Sequence, residues 1–212
     1  MFQKIIDSQY RRPSGLLGRW IGRKMMEQHL PENIWTVEVL KPQPDDKILE
    51  IGFGPGIAIE QVAYHVTQGL VAGIDFSQTM VTVAKQRNAA AVRSGLVDLR
   101  YADVVQIPFA NATFNKAYSI HSIYFWQQPL SALREIHRVL KVGGTLILTI
   151  LPKEKWNINN PEMVVGTPEC TPYSAKDLET LLMQAGFNEV RVEFDSENKS
   201  NSNYSVVATK SV

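Results

Sequence analysis

The chain has 212 residues, 44% of them hydrophobic and 20% charged, which suffices for one sizeable core and excludes an intrinsically disordered polypeptide. A formal net charge of +1 gives no global attraction to nucleic acid or to an anionic membrane. The single cysteine, Cys170, excludes an intramolecular disulfide and multi-thiol chemistry, and it fits a reducing compartment.

In chain order, residues 1–30 stand apart as a helical cap segment, ahead of a single domain over 31–212. Arg11, Arg12, Arg19, Arg23 and Lys24 are interleaved with Leu16, Leu17, Trp20, Ile21, Met25 and Met26 at roughly helical spacing. Two readings stay open: a helix that packs its apolar stripe on the domain, or a lid or membrane-surface helix with peripheral lipid contact through 11–30. Gly15, Gly18 and Gly22 weaken the helix. The first residues hold no apolar run of signal-peptide length, and no stretch approaches about 18 apolar residues, so a cytoplasmic protein without stable membrane insertion is expected. A second helix is predicted over 32–40, ended by Pro42 and Pro44.

From Lys47 onward strands and helices alternate. The predicted strands are KILEI (47–51), LVAGID (70–75), VDLRYA (97–102), KAYSIH (116–121) and TLILTIL (145–151), with helices at 57–66, 78–94 and 129–140. This alternation implies a parallel sheet covered on both faces, a doubly wound α/β fold. KVGG at 141–144 reads as a basic last turn and a glycine stop before the next strand. A helix over 174–185, stopped by Gly186, precedes EVRVEF (189–194) and YSVVATK (204–210), which a short polar turn should join as an antiparallel hairpin.

The chemistry concentrates at the carboxyl ends of these strands. LEIGFGPG is a strand entering a glycine-rich turn that opens a helix, a backbone cradle for a polar ligand. Its glycines are Gly52, Gly54 and Gly56, and Ile57 falls where the dinucleotide fingerprint G-x-G-x-x-G needs its third glycine. Glu50, two residues before the first glycine, would repel a pyrophosphate and attract a cation or an amino group. Asp75 ends the second strand, where an acid accepts from ribose hydroxyls, and Ser77 is better placed to cap the following helix. Asp103, after the third strand, can accept from an exocyclic amine such as that of adenine.

Taken together, LEIGFGPG, GIDFSQTMVTVAKQ, YADVVQIPFANATFNKAYSIHSIYFW, LREIHRVLKVGGTLIL and DLETLLMQAGFNEV resemble, in order and spacing, a class I S-adenosylmethionine-dependent methyltransferase of the small-molecule methyltransferase-domain type. The resemblance covers most of residues 32 to 210. It implies a Rossmann-like, mostly parallel seven-stranded sheet with a C-terminal antiparallel hairpin. S-adenosyl-L-methionine is the implied methyl donor and S-adenosyl-L-homocysteine the product. Carried over, Glu50, Gly52, Gly54 and Gly56 line the methionine and ribose part, and Asp75 holds the ribose hydroxyls. Phe76 and Met80 sandwich adenine, Asp103 with the backbone of Ala102 and Val104 faces its edge, and Ser119, Ile120 and His121 face the methionine and the transferable methyl. The chain departs from the family at Phe114-Asn115, where Phe-Asp is common, a mainly structural position.

The expected reaction is in-line transfer of the methyl to an oxygen, nitrogen or carbon nucleophile of a small, partly apolar acceptor. His121 is the candidate general base, beside the plainer reading of a histidine that only lines the pocket. Tyr124, Phe125 and Trp126 read either as a substrate wall or as core; Tyr10, Trp20, and Trp156 in the long loop 152–171, are candidates to close over the site. No N/D-P-P-Y/F tetrapeptide follows the fourth strand and no second cysteine exists, which disfavours base N-methylation, pyrimidine C5 chemistry and arsenic methylation. No metal and no nucleic-acid partner is expected, and the chain is read as a monomer or homodimer. The competing functions are a nicotinamide-dependent oxidoreductase and a non-catalytic cofactor-binding protein.

Overall fold

The computed structural model describes residues 30–151, 153–156, 170–194 and 203–211, together with Gly15. Alternation of apolar residues builds a sheet with two buried faces. On β1 (Lys47–Ile51) Ile48 packs on one face, Leu49 and Ile51 on the other, and every residue after Lys47 is buried. The same is true of β2 (Leu70–Asp75), where five of six residues are buried, as a strand covered on both sides requires. β3 (Val97–Tyr101), β4 (Phe114–Ile120) and β5 (Leu140–Ile150) complete a parallel set. β6 (Asn188–Phe194) and β7 (Tyr204–Thr209) form the expected antiparallel pair, with β7 inserted beside β5, giving the order β3-β2-β1-β4-β5-β7-β6.

Helices α1 (Leu30–Leu40), α2 (Ile57–His65) and α3 (Gln78–Arg87) cover one face through Val37, Leu40, Ile59, Val62, Val81 and Ala84. The short α4 (Ala89–Arg93) follows α3 beside β3. On the opposite face α5 (Pro129–Val139) and α6 (Ala175–Gln184) contribute Leu133, Ile136, Leu178 and Leu182. The cap of α6 is set by sequence: Ser174 Oγ accepts from Asp177 N–H at 3.2 Å and Asp177 Oδ2 accepts from Ser174 N–H at 2.9 Å. α1 is tied across the sheet by hydroxyls, Thr36 Oγ1 to Thr149 Oγ1 at 2.7 Å and Thr149 to Ser205 Oγ at 2.8 Å. No helix among the described residues is long and apolar enough to cross a membrane.

Two local expectations change. The single helix over 78–94 is split at Asn88, whose side-chain amide donates to Ala84 O and Gly56 O, both at 3.0 Å, and whose backbone leaves helical geometry. KVGG is not a helix end: α5 stops at Val139, and Lys141 to Gly144 lie in β5, where its register against β4 shifts. Gly143 sits at φ 77° and its N–H donates to Lys210 O at 2.7 Å, so tertiary pairing has claimed residues that local rules assign to the helix. Asn115 plays the structural part expected of its position, its Oδ1 accepting from Lys47 N–H at 3.0 Å. The expected helix within residues 1–30, and most of the loop 152–171, lie outside the described residues.

Candidate functional site

The carboxyl ends of β1, β2, β3 and β4 open into one cavity of about 200 Å³. Doubly wound sheets leave their crevice at this edge because the outgoing loops of neighbouring strands diverge there. Glu50, Gly52, Gly54, Asp75, Phe76, Met80, Ala102, Asp103, Val104, Ile120 and His121 all stand in its wall, as does Trp126. Sequence positions scattered over 77 residues thus meet at one site because four strands end side by side.

The glycines of the first loop have different physical reasons. Gly52, at φ 74°, donates its N–H to Ile74 O at 2.8 Å, and a Cβ there would come within 2.5 Å of Ser122 Cβ. Gly54, at φ 50°, would point a Cβ at no protein atom within 4 Å, so the space above it is open to a ligand. Gly56 is absent from the cavity wall; it starts α2 and packs against Ala84.

Asp75 is 7% exposed and already holds the loop together. Its Oδ2 accepts from Gly54 N–H at 2.9 Å and its Oδ1 from Ser77 N–H at 2.8 Å, each oxygen keeping a lone pair for a ligand. Burial outweighs these two bonds and pushes Asp75 up to about 6. Ser77 is the helix cap the sequence suggested, its Oγ accepting from Met80 N–H at 3.3 Å. Glu50 is 3% exposed, and its Oε2 accepts from Tyr118 Oη at 2.8 Å. Burial pushes it up to about 8, against the phenol bond and with a smaller contribution from Asp75. On the β3 side, Asp103 Oδ1 accepts from Val105 N–H at 3.1 Å. The loop beyond it is clamped by Arg138, which donates to Ile107 O and Phe109 O, both at 2.9 Å, while Glu135 accepts from Ile107 N–H at 3.0 Å. The mutual hydrogen bond of that pair, outweighing its partial burial, holds Glu135 below and Arg138 above their ordinary values.

On the β4 side, His121 sits at φ 52°, a left-handed backbone that a non-glycine residue adopts only when its surroundings impose it. Three contacts do so: His121 N–H donates to Thr149 O at 3.0 Å, Nδ1 lies 3.2 Å from Tyr124 Oη, and Ser122 Oγ donates to Ile51 O at 2.9 Å. Ser119 lies behind this turn, its Oγ 2.6 Å from Ser122 Oγ, and is not in the wall. Tyr124 is also behind the wall. Its Oη accepts from Leu151 N–H at 2.6 Å, and Trp156, whose Nε1 donates to Leu151 O at 2.9 Å, packs edge-on against its ring at 5.1 Å. Trp126 faces the cavity, whereas Tyr124 and Trp156 brace it; Tyr10 and Trp20 lie outside the described residues. Sequence reasoning missed Asn33, Phe53, Ser122 and the Gln127–Gln128 pair in the wall. Ser122 was adjacent to the motif, but nothing in the pattern of α1 singled out Asn33.

The methyltransferase-domain family model matches residues 49–148, the span from β1 to β5. The chain is 32% identical over 161 residues to O-methyltransferase cnsE of Penicillium expansum, covering 75% of this chain and 58% of the fungal protein. It is 27% identical over 173 residues to the uncharacterized methyltransferase YdaC of Bacillus subtilis, covering 82% and 88% of the two chains. The chain therefore spans less than two thirds of the fungal relative and most of the bacterial one. A solved SAM-dependent methyltransferase from Aquifex aeolicus is 20% identical, covers 89% of this chain and 98% of its own, and superposes with a TM-score of 0.70, a likeness of fold.

Proposed function

The chain belongs to the class I S-adenosylmethionine-dependent methyltransferases, and from that premise we propose that it methylates a hydroxyl group of a small, partly apolar molecule. The observation that carries the reading is one cavity joining open space above Gly54 to two buried acids, Glu50 and Asp75, on adjacent strands. That arrangement fits an adenosyl amino acid: vicinal hydroxyls for Asp75, an ammonium for Glu50, and an adenine between Phe76 and Met80 with Asp103 at its edge. Ile57 stands where the dinucleotide fingerprint needs its third glycine, which weighs against the nicotinamide alternative. S-adenosylmethionine, when bound, supplies a methyl group already activated by a sulfonium.

The chain's own task is then to hold the acceptor in line and to exclude water. Phe125 and Trp126 give the acceptor end of the cavity an apolar wall, while Asn33, Gln127 and Gln128 supply amide donors and acceptors. His121, fixed in its strained turn, is the group placed to take the hydroxyl proton. The fungal relative's name, an O-methyltransferase, supports a hydroxyl as the first acceptor class to try. Transfer of radiolabelled methyl from S-adenosylmethionine to a panel of phenols and quinols tests the reading. Labelled product that disappears in His121→Ala supports it, whereas labelling only of amines, or equal labelling by both proteins, overturns the hydroxyl and base assignments.

A further inference from the structure

Among the described residues, the carboxyl of Glu50 has no positive partner, and it is buried against the cavity. Among the described residues its side chain bonds only Tyr118 Oη, at 2.8 Å, and no Lys, Arg or His pairs with it. Tyr118 is fully buried on β4, in register with Glu50 and on the same face of the sheet, so its phenol can contribute a hydrogen bond but no charge. Among the described residues, the titratable groups facing Glu50 are Tyr118 from β4 and Asp75 from β2, the second of the same sign. Asp103 and His121 are the other titratable side chains of the cavity wall among the described residues, and α1 meets it with the neutral Asn33. Burial beside another acid, with no cation among the described residues to pair it, favours the neutral form of the Glu50 carboxyl until a cation arrives.

We propose that Glu50 takes up the ammonium head of the ligand by giving up a proton, and that Tyr118 is the positioning residue that sets how readily this exchange occurs. The inference rests on the S-adenosylmethionine site proposed above. In the exchange, the O–H bond of the Glu50 carboxyl breaks, its proton leaves to solvent, and the ammonium pairs with the carboxylate, so charge balances within the site. Tyr118 keeps its own proton throughout, because burial, and after it the neighbouring carboxyl, hold its phenol well above the ordinary range. Its hydrogen bond favours the ionised carboxyl and aims one oxygen away, leaving the other to the ligand. Without that bond Glu50 keeps its proton to higher pH.

The direct test is calorimetry of S-adenosylhomocysteine binding at about pH 7 in two buffers of different ionisation enthalpy. The expected result is close to one proton released per ligand bound, falling away above about pH 8, with affinity dropping up to roughly tenfold per pH unit below it. 5′-Methylthioadenosine, which lacks the amino-acid head, should release none, and Glu50→Gln should abolish the release. Tyr118→Phe should move the midpoint of the affinity–pH curve upward by about one unit, a displacement that a purely packing role would not produce. Release of no proton by the unmodified protein overturns the inference, as does equal release with 5′-methylthioadenosine or an unmoved midpoint in Tyr118→Phe. Should Tyr118→Phe fail to fold, the two-ligand comparison in the unmodified protein decides alone. Failure of S-adenosylhomocysteine to bind at all sinks the function proposal itself, and so is told apart from failure of the proton exchange.

Discussion

The two halves of the cavity are built by different means. The half at the ends of β1 and β2 is local: Gly54 N–H and Ser77 N–H reach Asp75, Gly52 N–H reaches Ile74 O, and all of these groups lie between residues 52 and 77. The half at the end of β4 is assembled from distant chain. His121 is held by Thr149 from β5, its ring by Tyr124, and Tyr124 in turn by Leu151, while Asn33 arrives from α1. A loop that closes on its own backbone specifies one ligand shape and tolerates little change. A wall contributed by separate elements can be varied one side chain at a time, which is where acceptor specificity belongs.

The comparison is broken most severely by His121→Ala. Turnover of a hydroxyl acceptor should fall roughly 10²–10⁴-fold, with S-adenosylhomocysteine affinity changing much less, measured by initial rates and calorimetry in parallel. Equal losses in both would mean that the β4 half serves the cofactor and not the acceptor. Asp75→Ala should produce the reverse pattern, weakening S-adenosylhomocysteine by about 100-fold as two charge-assisted bonds to hydroxyls and the anchor for Gly54 disappear together. Gly54→Ala is milder: a left-handed alanine costs about 1–2 kcal/mol, and its methyl enters the open space, so cofactor affinity should fall about tenfold or more.

The smallest expected effect is on the stability of the ligand-free protein as pH changes. Both acids are raised by burial, Glu50 to about 8 and Asp75 to about 6, so the folded chain binds protons more tightly than the unfolded one. Their contribution is then complete below the ordinary carboxylate range and is lost as pH rises through about 6 and then about 8. The melting temperature should decline by a few degrees between pH 5 and 9, less steeply in Glu50→Gln. A rising curve over that window would contradict the burial assigned to Glu50.

Much of this was legible in the residues because the signals are local. Apolar runs punctuated by glycine and proline located all seven strands, and Glu50, Asp75 and Asp103 each mark the end or exit of a strand. Where a residue's neighbours in space are far away in sequence, local reading failed in kind. KVGG became strand because Gly143 pairs with Lys210, and the long helix broke because Asn88 is claimed by Gly56. Gly56 and Ser119 share the motif spacing of their neighbours yet face packing partners, while Tyr124 and Trp156 turned out to support the wall on which Trp126 stands.

What the sequence alone determined is the doubly wound sheet and the ligand loop, since periodicity and backbone freedom are properties of consecutive residues. Only the tertiary structure decided which glycine leaves room for a ligand and that Glu50 is buried against a phenol with no cation among the described residues. It also decided that His121 is held in a strained turn by a carbonyl 28 residues away in sequence. Those are distances between strands, and they come into being only when the sheet closes.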